Sequence, residues 1–233
     1  MSNKIPPKIS GAIFDLDGVI LYTMEQWNAL GINYLQENGI RPSDDVVEQI
    51  ESLSLRESAE LFHSKFGVPK SVELIKYELI ERLKKLYAEE AEIKEGALDT
   101  LRLLKSNGVG IALATSTSRA LAINGLRKVG ALQYFDKIFS CRDANIDQNK
   151  TNPKVYDVAR TSLGIPIEET VVIEDALYAI ETAKKASYYV IAVEDAGERK
   201  RKETIMKIAD LYVKNHAELC RLLQMFFSNS LFR

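Results

Sequence analysis

Six short apolar runs, most of them β-branched or aromatic and each closed by a polar residue, punctuate the chain: Ala12–Phe14, Gly110–Ala114, Lys137–Phe139, Val171–Ile173, Tyr189–Val193 and Leu211–Val213. Runs of this length and composition read as buried strands. Between most of them lie stretches with apolar residues three and four apart, such as Leu98, Leu101 and Leu104, then Leu121, Leu126 and Val129, then Val155, Val158 and Ala159. That spacing marks amphipathic crossover helices. Parallel neighbours need a long connection and hairpins do not, so the pattern predicts an α/β fold: an open parallel sheet with helices on both faces, three layers in all.

One interval breaks the alternation. From residue 24 to residue 90 only helical periodicity is present, in Trp27–Gln36, Val46–Leu53, Ser58–Phe66 and Val72–Tyr87, punctuated by Gly39, Pro42, Gly67 and Pro69. The expected organisation is a core formed by residues 1–23 and 91–233, with an all-helical domain inserted at 24–90. A chain of 233 residues is long enough for such a core with an insertion.

The charge balance, 31 Lys+Arg against 33 Asp+Glu, provides no overall basic field for nucleic acid or an anionic membrane. No apolar run approaches the roughly 18 residues that span a bilayer, and Met1–Ser10 lacks the apolar segment of a secretory signal. Cys141 and Cys220 read as unpaired thiols of a reducing compartment. The expectation is a cytoplasmic protein with no nucleic-acid or membrane partner.

Ligands of open α/β sheets bind beyond the carboxyl ends of the strands. There this chain places Asp15-Leu16-Asp17-Gly18 after the first run, Thr115-Ser116-Thr117 after the second, Lys150 in the loop after the third and Glu174-Asp175 after the fourth. Carboxylates gathered at one point repel unless a cation neutralises them, and hard oxygen donors suit Mg²⁺. An Asp carboxylate can also attack phosphorus to form an aspartyl-phosphate, with Lys150, the Thr115 hydroxyl and the metal balancing charge on the transferred group. Singly, each residue has a plainer use: an Asp after a strand caps or turns the chain, and Ser116 and Thr117 equally suit the cap of the next helix.

The four segments Asp15-Leu16-Asp17-Gly18-Val19, Leu113-Ala114-Thr115-Ser116, Lys150 with Pro153, and Val172-Ile173-Glu174-Asp175 resemble, in order, the four motifs of the haloacid dehalogenase superfamily. The helical insertion after the first motif resembles the cap of the branch that contains β-phosphoglucomutase and small-molecule phosphatases. The resemblance implies a Rossmann-like core and Mg²⁺-dependent hydrolysis of a small phosphorylated metabolite. It implies Asp15 as nucleophile and Asp17 as general acid/base that also ligates Mg²⁺ through its backbone carbonyl. By the same resemblance Thr115 binds the phosphoryl group, Lys150 stabilises charge, and Asp15, Asp175 and Glu174 serve the metal. An acid in the place of Asp17 serves an alcohol leaving group, which must be protonated, rather than a halide.

Trp27 stands where β-phosphoglucomutases carry His, and Tyr22 where many relatives carry Asp, which weighs against the mutase reading; Ala176 and Ala179 replace Ser and Gly after the acid pair. The alternatives are a β-phosphoglucomutase-like phosphotransferase, or a phospho-acceptor or non-catalytic binding module on the same fold. Arg56 sits where related caps present a substrate-reading loop and reads either as a bidentate anion contact or as a solvated helix-start arginine. Ser116 joins it as a candidate substrate contact. Glu194-Asp195 reads as a solvated loop pair, Arg199–Lys202 as an exposed basic face, and His63 and His216 as surface or partly packed histidines remote from every motif. The apolar tail, Met225–Phe227 with Leu231–Phe232, either docks on the body or forms a dimer surface, so a monomer or weak homodimer is expected.

Overall fold

All six apolar runs pair into one parallel sheet. In the computed structural model, which describes Pro6, residues 8–43, Ile50 and residues 53–230, the strands are β1 (Gly11–Phe14), β4 (Gly110–Thr115), β5 (Lys137–Ser140), β6 (Thr170–Glu174), β7 (Tyr189–Val193) and β8 (Leu211–Val213). Their order across the sheet is β5-β4-β1-β6-β7-β8, every pairing parallel. The chain therefore builds outward from β1 on one side, then returns to extend the sheet on the other, which is the arrangement that opens a crevice at the strands' carboxyl ends. Two short strands that the apolar pattern does not mark, β2 (Leu21–Tyr22) and β3 (Glu92–Ile93), pair antiparallel as a separate ribbon.

Lateral register sorts the strand side chains onto two faces. Ile13 pairs with Ala112 and Val172, and Val172 with Val190, so these four share one face. They pack against Val155, Tyr156 and Ala159 of α6 (Lys154–Leu163), Ile180 and Ala183 of α7 (Leu177–Lys185) and Ile205 of α8 (Lys202–Ile208). The alternate residues Ala12, Phe14, Ile111, Leu113, Val171 and Ile173 are buried on the opposite face. The remaining core helices are α4 (Ala97–Ser106), α5 (Arg119–Lys128) and α9 (His216–Ser230), with α4 packed along α9. Each core helix buries an apolar stripe and leaves its charged side to solvent, as with Leu101 and Leu104 of α4.

The chain divides into two compact units, residues 1–22 with 91–233 and residues 23–90. The smaller unit holds α1 (Met24–Glu37), α2 (Leu55–Ser64), α3 (Val72–Lys85) and a π turn, Leu86–Glu90. Ser54 starts α2 with a capping box, its hydroxyl accepting from the Glu57 amide while the Glu57 carboxylate accepts from the Ser54 amide. Helices α1 and α3 are tied by Arg82, bidentate on Glu37 at 2.8 and 2.5 Å, and by the Tyr34 hydroxyl donating to Glu78. Tyr34 also stacks on Phe62 of α2. Trp27 Nε1–H donates to the Tyr87 hydroxyl at 2.7 Å, so this aromatic is used inside the helical unit. Most of the helix expected over Val46–Leu53 lies outside the described residues.

Candidate active site

Sheet register alone brings β1 and β6 together at the point where both strands end. Phe14 pairs with Ile173, and the Asp15 amide donates to the Ile173 carbonyl at 3.0 Å, which sets Asp15 beside Glu174 and Asp175. The chain then reverses within a few residues. Gly18 has φ 82°, a left-handed conformation that glycine adopts without steric penalty, and the Ile20 and Leu21 amides both donate to the Leu16 carbonyl at 2.8 and 2.9 Å. The turn separates the two aspartates by function of geometry: Asp15 points at the β6 end, whereas Oδ2 of Asp17 accepts from the Thr117 hydroxyl at 2.6 Å.

Asp15, Lys150, Glu174 and Asp175 are 7, 2, 1 and 3% exposed. Lys150 Nζ donates to Asp15 Oδ1 and, at 2.6 Å, to Glu174 Oε1. The Tyr156 hydroxyl donates to that same Glu174 oxygen at 2.7 Å. Burial works to discharge the Lys150 ammonium, but Asp15 and Glu174 more than offset it and hold its pKa above the lysine range. Burial likewise lifts Glu174, to about 7, against the opposing pull of Lys150, and Asp175 is pushed well above the ordinary carboxylate range by burial and by Asp15 and Glu174. With Asp195 and Lys94, which also act on Asp175, four carboxylates face two ammonium groups and are under-neutralised, and burial amplifies the imbalance.

That imbalance is the test of whether a cation fits. Carboxylate oxygens of Asp15, Glu174 and Asp175 lie within 4.8 Å of one another. Neighbouring oxygen donors around a Mg²⁺ ion lie about 3–4 Å apart, so three carboxylate oxygens at this spacing could supply part of its ligand set. Glu174 Oε2 is buried and has no hydrogen-bond partner among the described residues. Hard oxygen donors, excess negative charge and an orphaned carboxylate oxygen all fit a divalent cation, with Asp15, Glu174 and Asp175 as the residues that could hold it. The Asp17 carboxylate is not one of these three.

Residues 12–193 match the family model of haloacid dehalogenase-like hydrolases. The chain belongs to that family. It is 27% identical over 179 residues to a phosphorylated carbohydrates phosphatase of Thermotoga maritima, covering 76% of this chain and 82% of the relative. It is 24% identical to validoxylamine A 7'-phosphate phosphatase of Streptomyces hygroscopicus subsp. limoneus, over 78% of this chain and 84% of the relative. The fold is shared with β-phosphoglucomutase of Clostridium difficile, with a TM-score of 0.69, 22% identity, and coverage of 97% of this chain and all of that one.

In this haloacid dehalogenase-like hydrolase, Asp15, Lys150, Glu174 and Asp175 are thus brought together in the core, with Thr115 and Asp17 linked through Thr117. Thr115 is fully buried, and its hydroxyl oxygen accepts from the Thr117 amide at 3.0 Å. Ser116 is exposed next to it. Arg56 belongs to the helical unit, where it is exposed and paired with Glu60 at 2.9 Å.

Two plain readings are corrected. Asp195 is not solvated: its carboxylate is 8% exposed and paired at 2.8 Å with the equally buried Lys94, which also donates to the Glu194 carbonyl. His216, expected at the surface or partly packed and remote from every motif, is 1% exposed and bonded to the Val19 carbonyl of the first motif. Tyr156 belongs to no motif, although a tyrosine on the apolar face of a buried helix must find a partner for its hydroxyl. Among the described residues, no helix is long and apolar enough to cross a membrane.

Proposed function

We propose that the protein is a Mg²⁺-dependent phosphatase acting on a small phosphorylated metabolite through an aspartyl-phosphate. The reading is carried by one observation, a buried Asp15 that shares Lys150 with Glu174 while Asp17 is held separately by Thr117. It is supported by the phosphatases among the relatives. Asp15 attacks phosphorus, the P–O bond to the alcohol breaks, and the departing oxygen takes a proton from Asp17. Asp17, now a carboxylate, removes a proton from water, which attacks the acyl phosphate, releases inorganic phosphate and restores the Asp15 carboxylate. Lys150 and the Thr115 hydroxyl donate to the phosphoryl oxygens. Asp15, Glu174 and Asp175, with the Asp17 carbonyl, would hold a divalent cation, which would supply charge neutralisation for the anionic ester.

The helical unit is assigned the role of substrate-selecting cap, with Arg56 as a contact for a second anionic group and Ser116 as a contact in the core. The location we infer is the cytoplasm. The test is phosphate release from a panel of sugar phosphates and an aryl phosphate, in Mg²⁺ and in chelator, for the native protein and Asp15→Asn. Release abolished by chelator and by the substitution supports hydrolysis; isomerisation of a sugar phosphate without net release identifies a mutase instead, and release that survives both changes overturns the reading.

A further inference from the structure

The turn that carries Asp17 is gripped from outside at two successive carbonyls. Ile20 O accepts from the Lys94 amide at 2.8 Å, and Val19 O accepts from His216 Nε2–H, also at 2.8 Å. The second contact comes from a side chain at the start of α9, nearly two hundred residues downstream. A carbonyl only accepts, so Nε2 carries the proton and Nδ1 of the neutral ring is left as an acceptor. The Thr100 hydroxyl of α4 lies 3.2 Å from Nδ1, with the Gly96 and His216 carbonyls at 3.2 and 3.3 Å as its alternative acceptors. Burial pushes the imidazole down to about 4, Lys94 pushes in the same direction, and the bond to Val19 opposes both, so the ring is neutral at ordinary pH.

The chain also clears space for the start of α9. Gly96 has φ 80°, and a Cβ there would stand 3.1 Å from the Ala217 amide nitrogen and 3.3 Å from His216 Cβ. Three separate segments, the turn after β1, the start of α4 and the start of α9, therefore meet on one imidazole.

We propose that His216 is a positioning residue for Asp17: set by Thr100, its ring clamps the Val19 carbonyl and fixes the turn from which the Asp17 carboxyl reaches the leaving oxygen. The inference rests on Asp17 being the general acid of the proposed reaction. A proton donor displaced by about 1 Å loses about a hundredfold in rate. That loss depends on the leaving group, because an alkoxide must be protonated to depart whereas a nitrophenolate departs with little assistance. A histidine that merely stabilises the fold affects both substrates alike.

The experiment measures kcat/KM for a sugar phosphate and for 4-nitrophenyl phosphate, in the native protein, His216→Phe, His216→Gln and Thr100→Val. In His216→Phe the sugar phosphate is expected to lose about tenfold or more and the nitrophenyl ester about threefold or less. His216→Gln, which returns an N–H donor, recovers most of the difference, and Thr100→Val shows a smaller selective loss. Equal losses with both esters, or none, overturn the proposal. If His216→Phe fails to fold, Thr100→Val decides by the same criterion. A native protein that releases phosphate from neither ester overturns the phosphatase reading itself, whereas native turnover with uniformly affected variants overturns only the role of His216.

Discussion

The hydroxyl of Thr117 donates to Oδ2 of Asp17 at 2.6 Å, linking the loop after β4 to the turn after β1. A hydrogen bond of this kind contributes about 0.5–1.5 kcal/mol net, and here it orients the carboxyl assigned to proton transfer. Thr117→Val keeps the shape and removes the donor. The expected result is about a tenfold fall in kcat/KM for a sugar phosphate with little change in thermal stability. Unchanged kinetics would show that the hydroxyl does not place the acid.

Lys150 is the cation that Asp15 and Glu174 share in a buried site. Removing one partner of a buried ion pair typically destabilises by about 3–5 kcal/mol, because the remaining charge is left uncompensated. Lys150→Met is expected to lose about 3 kcal/mol of unfolding free energy in chelator, read by urea denaturation. Added Mg²⁺ restores part of it by neutralising the same oxygens. Stability equal to that of the native protein in chelator would contradict the pairing.

The buried Lys94–Asp195 pair, whose charges act on the neighbouring Asp175, makes a matching prediction. Lys94→Met alone strands the Asp195 carboxylate and is expected to destabilise by about 3 kcal/mol, whereas the double variant Lys94→Met with Asp195→Asn recovers most of that loss. A double-mutant cycle by chemical denaturation checks it; additive losses would mean the two side chains do not act on each other.

His216 gives the protein an acid-sensitive element. Its pKa falls from about 6.5 in the unfolded chain to about 4 in the folded one, mainly through burial. Between those values the unfolded state binds a proton that the folded state does not, so stability drops as pH falls from about 6.5 to about 4, by up to about 3 kcal/mol. Glu174 and Asp175, raised by burial, act in the opposite sense, so the contribution is read as the difference between the native protein and His216→Gln. The gap between pH 7 and pH 4.5 is expected to shrink in the variant, and an unchanged gap would place the imidazole in solvent.

The strands were legible because each is an uninterrupted apolar run, and Asp15, Lys150, Glu174 and Asp175 because parallel strands deliver their trailing residues to one edge. The ribbon of β2 and β3 was not, since two-residue strands leave no periodicity to read. Thr117 could be placed near the site but not assigned, because a hydroxyl after a strand suits a helix cap equally well. His216 and Lys94 escaped for a different reason: their partners are the Val19 carbonyl and a single distant Asp195, and neither a backbone acceptor nor one long-range pair produces a spacing in the sequence. Asp195 is not legible as a buried partner, because an acid pair in a loop looks solvated until its cation is found.

The central claim, that Asp15 takes the phosphoryl group, is tested most directly by mass spectrometry of the protein quenched in acid during turnover of a sugar phosphate. The account predicts one added phosphoryl group on the peptide that contains Asp15, labile to hydroxylamine, and absent from Asp15→Asn. Sustained turnover with the label on another residue, or in Asp15→Asn, would contradict it.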